Sequence, residues 1–327
     1  MTLVWAGFAV FVLGVLAIDH GVFNRRYHVP STREALALTA GTVVLAMLFA
    51  GFVYYSYDAH WEGLGLRVDV VGGTPNNGHT GAIKFLTGYI VELTLSMDNV
   101  FVIALIFRHL RVPAMYQHRV LFWGVLGAFV MRGAMIGGGA ALVTRYHWVM
   151  YVFGGFLIVT GLRMLMTPKQ AAVPEERWIV RLLTRYARVT PEYHKEHFVV
   201  VRDGKKWITP LAIALVLIET TDLLFAVDSI PAIFAVTTDP FLVFTSNVFA
   251  VLGLRSLYFA LAGMIEKFRY LTISLAVILG VVGMKMLFGS AITRALGDYQ
   301  NAATLLFVAV PLGVGVVASI VADRRSA

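Results

Sequence analysis

The 327-residue chain contains no cysteine. Disulfides, thiolate metal sites and thiol redox chemistry are therefore excluded, although compartment is left open. Charge is also scarce: Asp, Glu, Lys and Arg make up 14% of residues, against 58% hydrophobic. Soluble domains carry about 25% charged residues. The chain has no phosphate-binding Gly-Lys loop, no G-x-S-x-G and no H-E-x-x-H, so neither ATP hydrolysis nor soluble-enzyme catalysis is indicated and the protein reads as no enzyme. The first residues lack a basic n-region and a small-residue cleavage site, so the first apolar run is expected to stay. The net charge of +8 is a topology signal before it is a nucleic-acid signal, and no nucleic-acid partner is expected.

What remains is long apolar runs, with a mean hydropathy of +0.76. Each of nine is near the twenty or so residues a helix needs to cross a bilayer: 3–23, 33–57, 80–107, 117–143, 146–166, 209–236, 240–263, 270–289 and 302–321. The expected fold is all-α, a polytopic helix bundle in membrane lipid. Of the 27 Lys and Arg, about nineteen fall in the loops after spans one, three, five and seven and in the tail; about three fall in the other loops. The positive-inside rule then predicts an outer N-terminus and a cytoplasmic C-terminus.

Two loops stand out. Segment 167–208 begins with Arg at intervals of three to four residues through Glu176–Arg188, which predicts an amphipathic basic helix on the anionic inner leaflet. A surface for a soluble partner is the rival reading. Its second half, 197–208, reads as a hairpin around Asp203-Gly204. The 58–79 loop is polar and Gly-rich. Its Asp58, His60, Glu62 and His79 could hold a metal, but a solvated outer loop is the preferred reading.

The scarce charges inside the spans form a pattern written twice. Glu92-Leu-Thr-Leu-Ser-Met-Asp98-Asn99-Val100 parallels Asp222-Leu-Leu-Phe-Ala-Val-Asp228-Ser229-Ile230. A carboxylate at bilayer depth costs roughly 2.5–3.5 kcal/mol even on lenient scales, so paired recurrence suggests a shared site. The repeat continues: Val125 to Arg132-Gly133 parallels Val248 to Arg255-Ser256, and Gly161-Leu-Arg163 parallels Gly283-Met-Lys285. Spans three to five thus match spans six to eight as a 3+3 repeat, inverted across the membrane, an architecture of secondary transporters with a midplane site. The expected organisation is 1–79 (spans one and two with the outer loop), 80–166 (first repeat), 167–208 (cytoplasmic loop), 209–289 (second repeat) and 290–327 (final span and tail).

Oxygen-only ligands suit a hard divalent cation. The candidate metal ligands are Glu92, Asp98, Asn99, Glu219, Asp222, Asp228 and Ser229, with Arg132, Arg163, Arg255 and Lys285 as charge partners. On a straight helix, at about 100° per residue, Glu92, Ser96 and Asn99 share a face and Asp98 points about 120° away. Each helix is therefore expected to loosen near its second Asp, in the second repeat at Pro231, which frees the carbonyl of Val227. Neutralisation of the acids by the four bases, as plain helix glue, is the competing reading. The bases could also hold the carboxylates when the cation has left. Asp19-His20 could form a third polar station or a headgroup-level pair. Asn247 could reach the cavity or make a helix–helix bond. Gly137–Gly139 and Gly154-Gly155 are expected to let helices pack closely.

These residues also carry a family likeness. Glu92–Val100, the run Glu219-Thr-Thr-Asp222 through Asp228-Ser-Ile-Pro231-Ala-Ile-Phe, Thr245-Ser-Asn247 and Gly253-Leu-Arg255 resemble the TerC family, its Alx branch above all. The likeness spans nearly the whole chain. It implies a fold related to LysE-type exporters and a role in Mn2+ export and metal homeostasis, with the acids of the two motifs and Asn99 on the metal. The family name comes from tellurite resistance, and older descriptions speak of redox modulation, which no cysteine, flavin motif or haem pair supports here. Export of Mn2+ by alternating access, driven by an ion gradient or the membrane potential with proton coupling as one option, is the leading expectation. Transport of Ca2+ or another divalent cation, or a non-transporting scaffold, are the alternatives. No organic cofactor is expected.

Overall fold

The computed structural model describes residues 1–24, 31–166, 174–186, 188–202, 204–261 and 270–326, less some side chains near segment ends. It is built of helices: α1 (Thr2–Asn24), α2 (Thr32–Asp58), α3 (Gly78–His109), α4 (Ala114–Arg145), α5 (Trp148–Met166), α6 (Pro174–Tyr186), α7 (Pro210–Phe234), α8 (Pro240–Leu261), α9 (Leu271–Leu296) and α10 (Gln300–Ser326). Two small antiparallel ribbons complete it, β1 (Val68–Asp69) with β2 (Thr74–Pro75) and β3 (Val199–Arg202) with β4 (Lys205–Ile208). Among the described residues eight helices are long and apolar enough to cross a membrane: all but α1 and α6. The apolar stretch described in α1, Thr2–Ile18, is shorter. Asp19 and His20 have side chains outside the described residues, as does Asp203.

Local chemistry sets the helix starts. Ser31 and Glu34 make a reciprocal capping box on α2, and Asn77 with Thr80 does the same on α3, satisfying amide donors that a helix start leaves free. Pro210 and Pro240 stand first in α7 and α8, where a missing N–H costs nothing. The expected 197–208 hairpin forms, with Arg202 opposite Lys205 and Gly204 at a φ of +70°, a left-handed conformation that glycine adopts without penalty.

The centre is a bundle in which α3 lies against α7 and α8, and α4 against the same two helices. Outside it, α2 covers α3 and α8, and α10 covers α3 and α9. Helices α5 and α9 pack closely because glycines face glycines. A Cβ on Gly283 would stand 2.7 Å from the Gly154 carbonyl, and one on Gly161 would stand 2.8 Å from the Ala276 carbonyl. This bears out close packing for Gly154. Gly139 admits Phe234, whereas Gly137 and Gly138 face open space.

Two expectations are corrected. Helix α3 runs unbroken through Asp98, and α7 runs unbroken through Asp228 and Pro231. Residues Ile230 to Phe234 are all buried, so packing on every side holds α7 helical despite the lost bond, as neighbouring helices commonly do in membranes. The non-helical residue falls instead in α9, at Phe288 (φ −113°, ψ 21°).

The α2–α3 loop is the second correction. Asp58, His60, Glu62 and His79 are exposed, as a solvated loop requires, but Asp69 and Asn76 are buried. The Asp69 carboxylate accepts hydrogen bonds from Lys84 Nζ (2.9 Å), Asn76 Nδ2 (3.2 Å), the Thr238 amide (2.9 Å), the Thr238 hydroxyl (2.8 Å) and the Thr237 hydroxyl. Next to it Tyr57 donates to Asp239 at 2.9 Å. The loop is thus tied to the α7–α8 turn by a buried carboxylate. Burial pushes the Asp69 carboxyl up, but the Lys84 ammonium and the donors from Thr237 and Thr238 outweigh burial and hold it below the ordinary carboxylate range.

Removing one partner of such a buried pair costs about 3–5 kcal/mol. Lys84→Met should therefore lower the unfolding free energy in detergent by about 3 kcal/mol, and the double change with Asp69→Asn should lose less than the two single changes summed. Because the Asp69 pKa is depressed, its stabilising contribution is complete above its unfolded pKa of about 4 and is lost as pH falls through the folded value. The stability difference between wild type and Asp69→Asn should stay flat from about pH 5 to 8 and shrink only in stronger acid. A difference that shrinks near neutrality would contradict the assignment.

Candidate functional site

The central four helices converge on Arg132, whose side chain is one of the largest fully buried in the protein. It comes from α4. Its Nε donates to Asp222 Oδ2 at 3.0 Å and its Nη2 to Asp222 Oδ1 at 2.7 Å, a bidentate fork onto α7. Its Nη1 donates to Glu92 Oε1 on α3, and reaches Asn247 Oδ1 on α8 at 3.4 Å. Asn99 Nδ2 donates to Asp222 Oδ1 at 3.2 Å. A planar, always-charged guanidinium is the side chain best suited to join two carboxylates in this way.

The helix period explains the set. Glu92, Ser96 and Asn99 lie one turn apart on the inner face of α3, and all three are buried. Asp222 and Ser229 hold the corresponding face of α7. Ser229 sits beside the Glu92 carboxylate with its hydroxyl outside hydrogen-bonding geometry.

Several oxygens here have no partner. Glu92 Oε2, Ser96 Oγ, Asn99 Oδ1, Glu219 Oε2 and Ser229 Oγ are buried atoms without a hydrogen bond. Unsatisfied buried polar atoms are few in native proteins and each one asks for a cause. Of these residues only Asn99 borders a small void of about 20 Å³, which Thr221, Asp222 and otherwise apolar side chains such as Ile103, Leu121 and Phe225 also line, room for one water-sized body. Glu219 lies one turn before Asp222 and lodges against Gly127 of α4, where a Cβ would overlap its carboxylate.

The predicted metal ligands thus separate. Glu92, Asn99, Asp222 and Ser229 come together, with Glu219 one turn away. Asp98 and Asp228 are half-buried, off that face of their helices. Among the described residues no group of three or more His, Asp or Glu stands in a metal-holding cluster, and Arg132 bonds both Glu92 and Asp222. Of the predicted charge partners, Arg132 alone makes these bonds. Arg255 is buried in α8, about two turns beyond Asn247. Arg163 is exposed near the end of α5. Lys285 is buried in α9, and the charges that reach it are Lys84 and Asp69. Of the two readings of Asn247, the helix–helix hydrogen bond is the one observed, from Arg132 of α4 to α8. The Asp69 knot was missed; Lys84, a base near the start of an apolar helix, was the signal that a carboxylate had to stand opposite it.

The description of the integral membrane protein TerC family matches residues 77–327. An "uncharacterized membrane protein STKORF319" of Myxococcus xanthus is 45% identical over 325 residues, 98% of this chain and 93% of its own. The "putative membrane-bound redox modulator Alx" of Escherichia coli K12 is 44% identical over 286 residues, 87% of this chain and 85% of its own. An "uncharacterized membrane protein" of Rickettsia felis is 36% identical over 97% of both chains. No solved structure matches. With the family matched across three-quarters of its length, and relatives matched from end to end, the chain belongs to the TerC family of integral membrane proteins.

Proposed function

We propose that this protein is a secondary transporter that exports Mn2+ across the cytoplasmic membrane, with the N-terminus outside and the C-terminus in the cytoplasm. The observation that carries this reading is the set of buried oxygens without partners around two carboxylates on facing helices. Carboxylate, amide and hydroxyl oxygens are hard ligands for divalent cations, and a lone membrane carboxylate is costly enough to need a purpose.

On this reading Arg132 and the cation are alternative counter-ions. With no cation bound, the guanidinium holds Glu92 and Asp222 and keeps the empty carrier from exposing two bare charges. The arriving Mn2+ takes those carboxylates, and Asn99, Ser96 and Ser229 turn their free oxygens onto it. Glu219, half-exposed one turn away, would receive the ion on its way in. Alternating access follows from the two sequence repeats, each supplying one acid of the pair. The exchange of helix partners supports it: α3 lies on α8 as α4 lies on α7, and α5 lies on α9. Protons are the counter-ions that carboxylates could exchange for metal. The name of the Alx relatives suggests a second reading, redox modulation, but this chain supplies no thiol of its own for it.

Purified protein in liposomes should move Mn2+, and Glu92→Gln or Asp222→Asn should reduce the rate at least a hundredfold while the protein stays monodisperse. Retained transport in both variants would refute the assignment. A competition series of Mn2+, Ca2+ and Mg2+ on one sample fixes the substrate.

Arg132→Gln separates counter-ion from ligand. It removes the competitor, so Mn2+ should raise the melting temperature of Arg132→Gln more than that of wild type, while transport falls. Equal shifts would mean that Arg132 and the metal do not compete.

A further inference from the structure

Among the described residues Lys285 is a buried base of α9 with no hydrogen bond to meet its charge. Its side chain is more than nine-tenths buried, and its Nζ has no hydrogen-bond partner among the described residues. The carboxylate whose charge reaches it, Asp69, is fully taken up by Lys84, Asn76, Thr237 and Thr238. A buried ammonium without an anion is expensive, and an anion bound from outside the chain would relieve that cost.

Two spaces meet at this residue. One is a groove of about 570 Å³ between α5, α9 and α10, lined by Leu162, Leu165, Val277, Val281 and Phe307. Most of these side chains are also exposed on the flank of the bundle. The other is a cavity of about 440 Å³ beside the α2–α3 loop, with Gly72, His147, Thr293 and Gln300 in its wall. Lys285 and Gln300 line both. Gln300 accepts the Thr293 hydroxyl through Oε1 at 2.6 Å, which leaves its amide nitrogen free to donate.

We propose that groove and cavity together bind one anionic phospholipid, with its phosphate at Lys285 and Gln300 and an acyl chain along the groove. Depth agrees. Lys285 lines the cavity walled by Gly72 and Gly73 of the α2–α3 loop, which lies at one end of the membrane-crossing helices, where headgroups sit. From there the groove runs toward Val277, eight residues or about 12 Å back along the helix, the direction of an acyl chain in that leaflet. The break of α9 at Phe288 turns the helix just past the lysine and gives the headgroup its space. A free inorganic anion would not need the apolar groove.

Native mass spectrometry of the full-length protein tests this without any cation, so the result is independent of the transport reading. The probes are phosphatidylglycerol, phosphatidylcholine of the same chains, and inorganic phosphate. Wild type should retain phosphatidylglycerol about tenfold more strongly than phosphatidylcholine, as expected for a charge-assisted bond. Lys285→Met should make the two lipids equal. Gly280→Phe, which fills open space in the groove, should lose both. If Lys285→Met fails to fold, Lys285→Arg should keep the preference and Lys285→Gln should lose it. The proposal falls if wild type shows no preference, if the lysine variants keep it unchanged, if Gly280→Phe still holds lipid, or if inorganic phosphate at equal concentration displaces the lipid.

Discussion

The fork of Arg132 onto Asp222, with its third nitrogen on Glu92, is the constraint on which the rest of the bundle depends. Three charged groups from three helices sit in an interior that would reject any of them singly. The acids fix where α3 and α7 meet, and the arginine fixes where α4 crosses them. Asn247 brings in α8. The network is incomplete by design of its parts: two acids offer four carboxylate oxygens, and one guanidinium with one asparagine leaves Glu92 Oε2 without a partner. An arrangement selected only as helix glue would gain by closing that gap.

A second buried charge cluster does different work. Asp69 has every oxygen satisfied, by side chains and backbone amides from the α2–α3 loop, from α3 and from the α7–α8 turn. It locks a surface loop over one end of the central helices. The contrast between the two clusters is informative. Full satisfaction makes a structural knot; partial satisfaction leaves oxygens that, on the transporter reading, another ligand would take.

The helical architecture could be read from composition and run length, because a membrane helix must satisfy its own backbone and be apolar throughout. The facing of Glu92, Ser96 and Asn99 could be read from the helical period. Two things could not. The unbroken course of α7 through Pro231 depends on packing from neighbouring helices, and no local rule about proline carries that information. The burial of Asp69 depends on a loop folding back onto residues 168 and 169 positions away, which a sequence rich in glycine and polar residues disguises as a solvated segment. The separate locations of Arg132 and Arg255 were hidden for a related reason: the repeat aligns them, but only the packed bundle decides which one meets the acids.

That inequality between aligned residues has a physical meaning. Two repeats with the same pattern could place their arginines alike, and a symmetric pair would then crowd two guanidiniums onto two acids. Here a single arginine serves both carboxylates while its counterpart lies about two turns past Asn247. The two aligned motifs are therefore alike in sequence and unlike in their surroundings. On the transporter reading this is what one end state of alternating access requires, since a molecule whose halves are identical in surroundings cannot favour one side of the membrane. The Asp69 knot adds to the bias, for it closes only the end that carries the α2–α3 loop. Opening that end would require withdrawing Asp69 from Lys84 and two threonines at once, whereas the opposite end is held by apolar packing around Ile106, Phe107 and Leu257 and by the neutral bonds of Tyr193 to Leu110 and Tyr258 to Gln117.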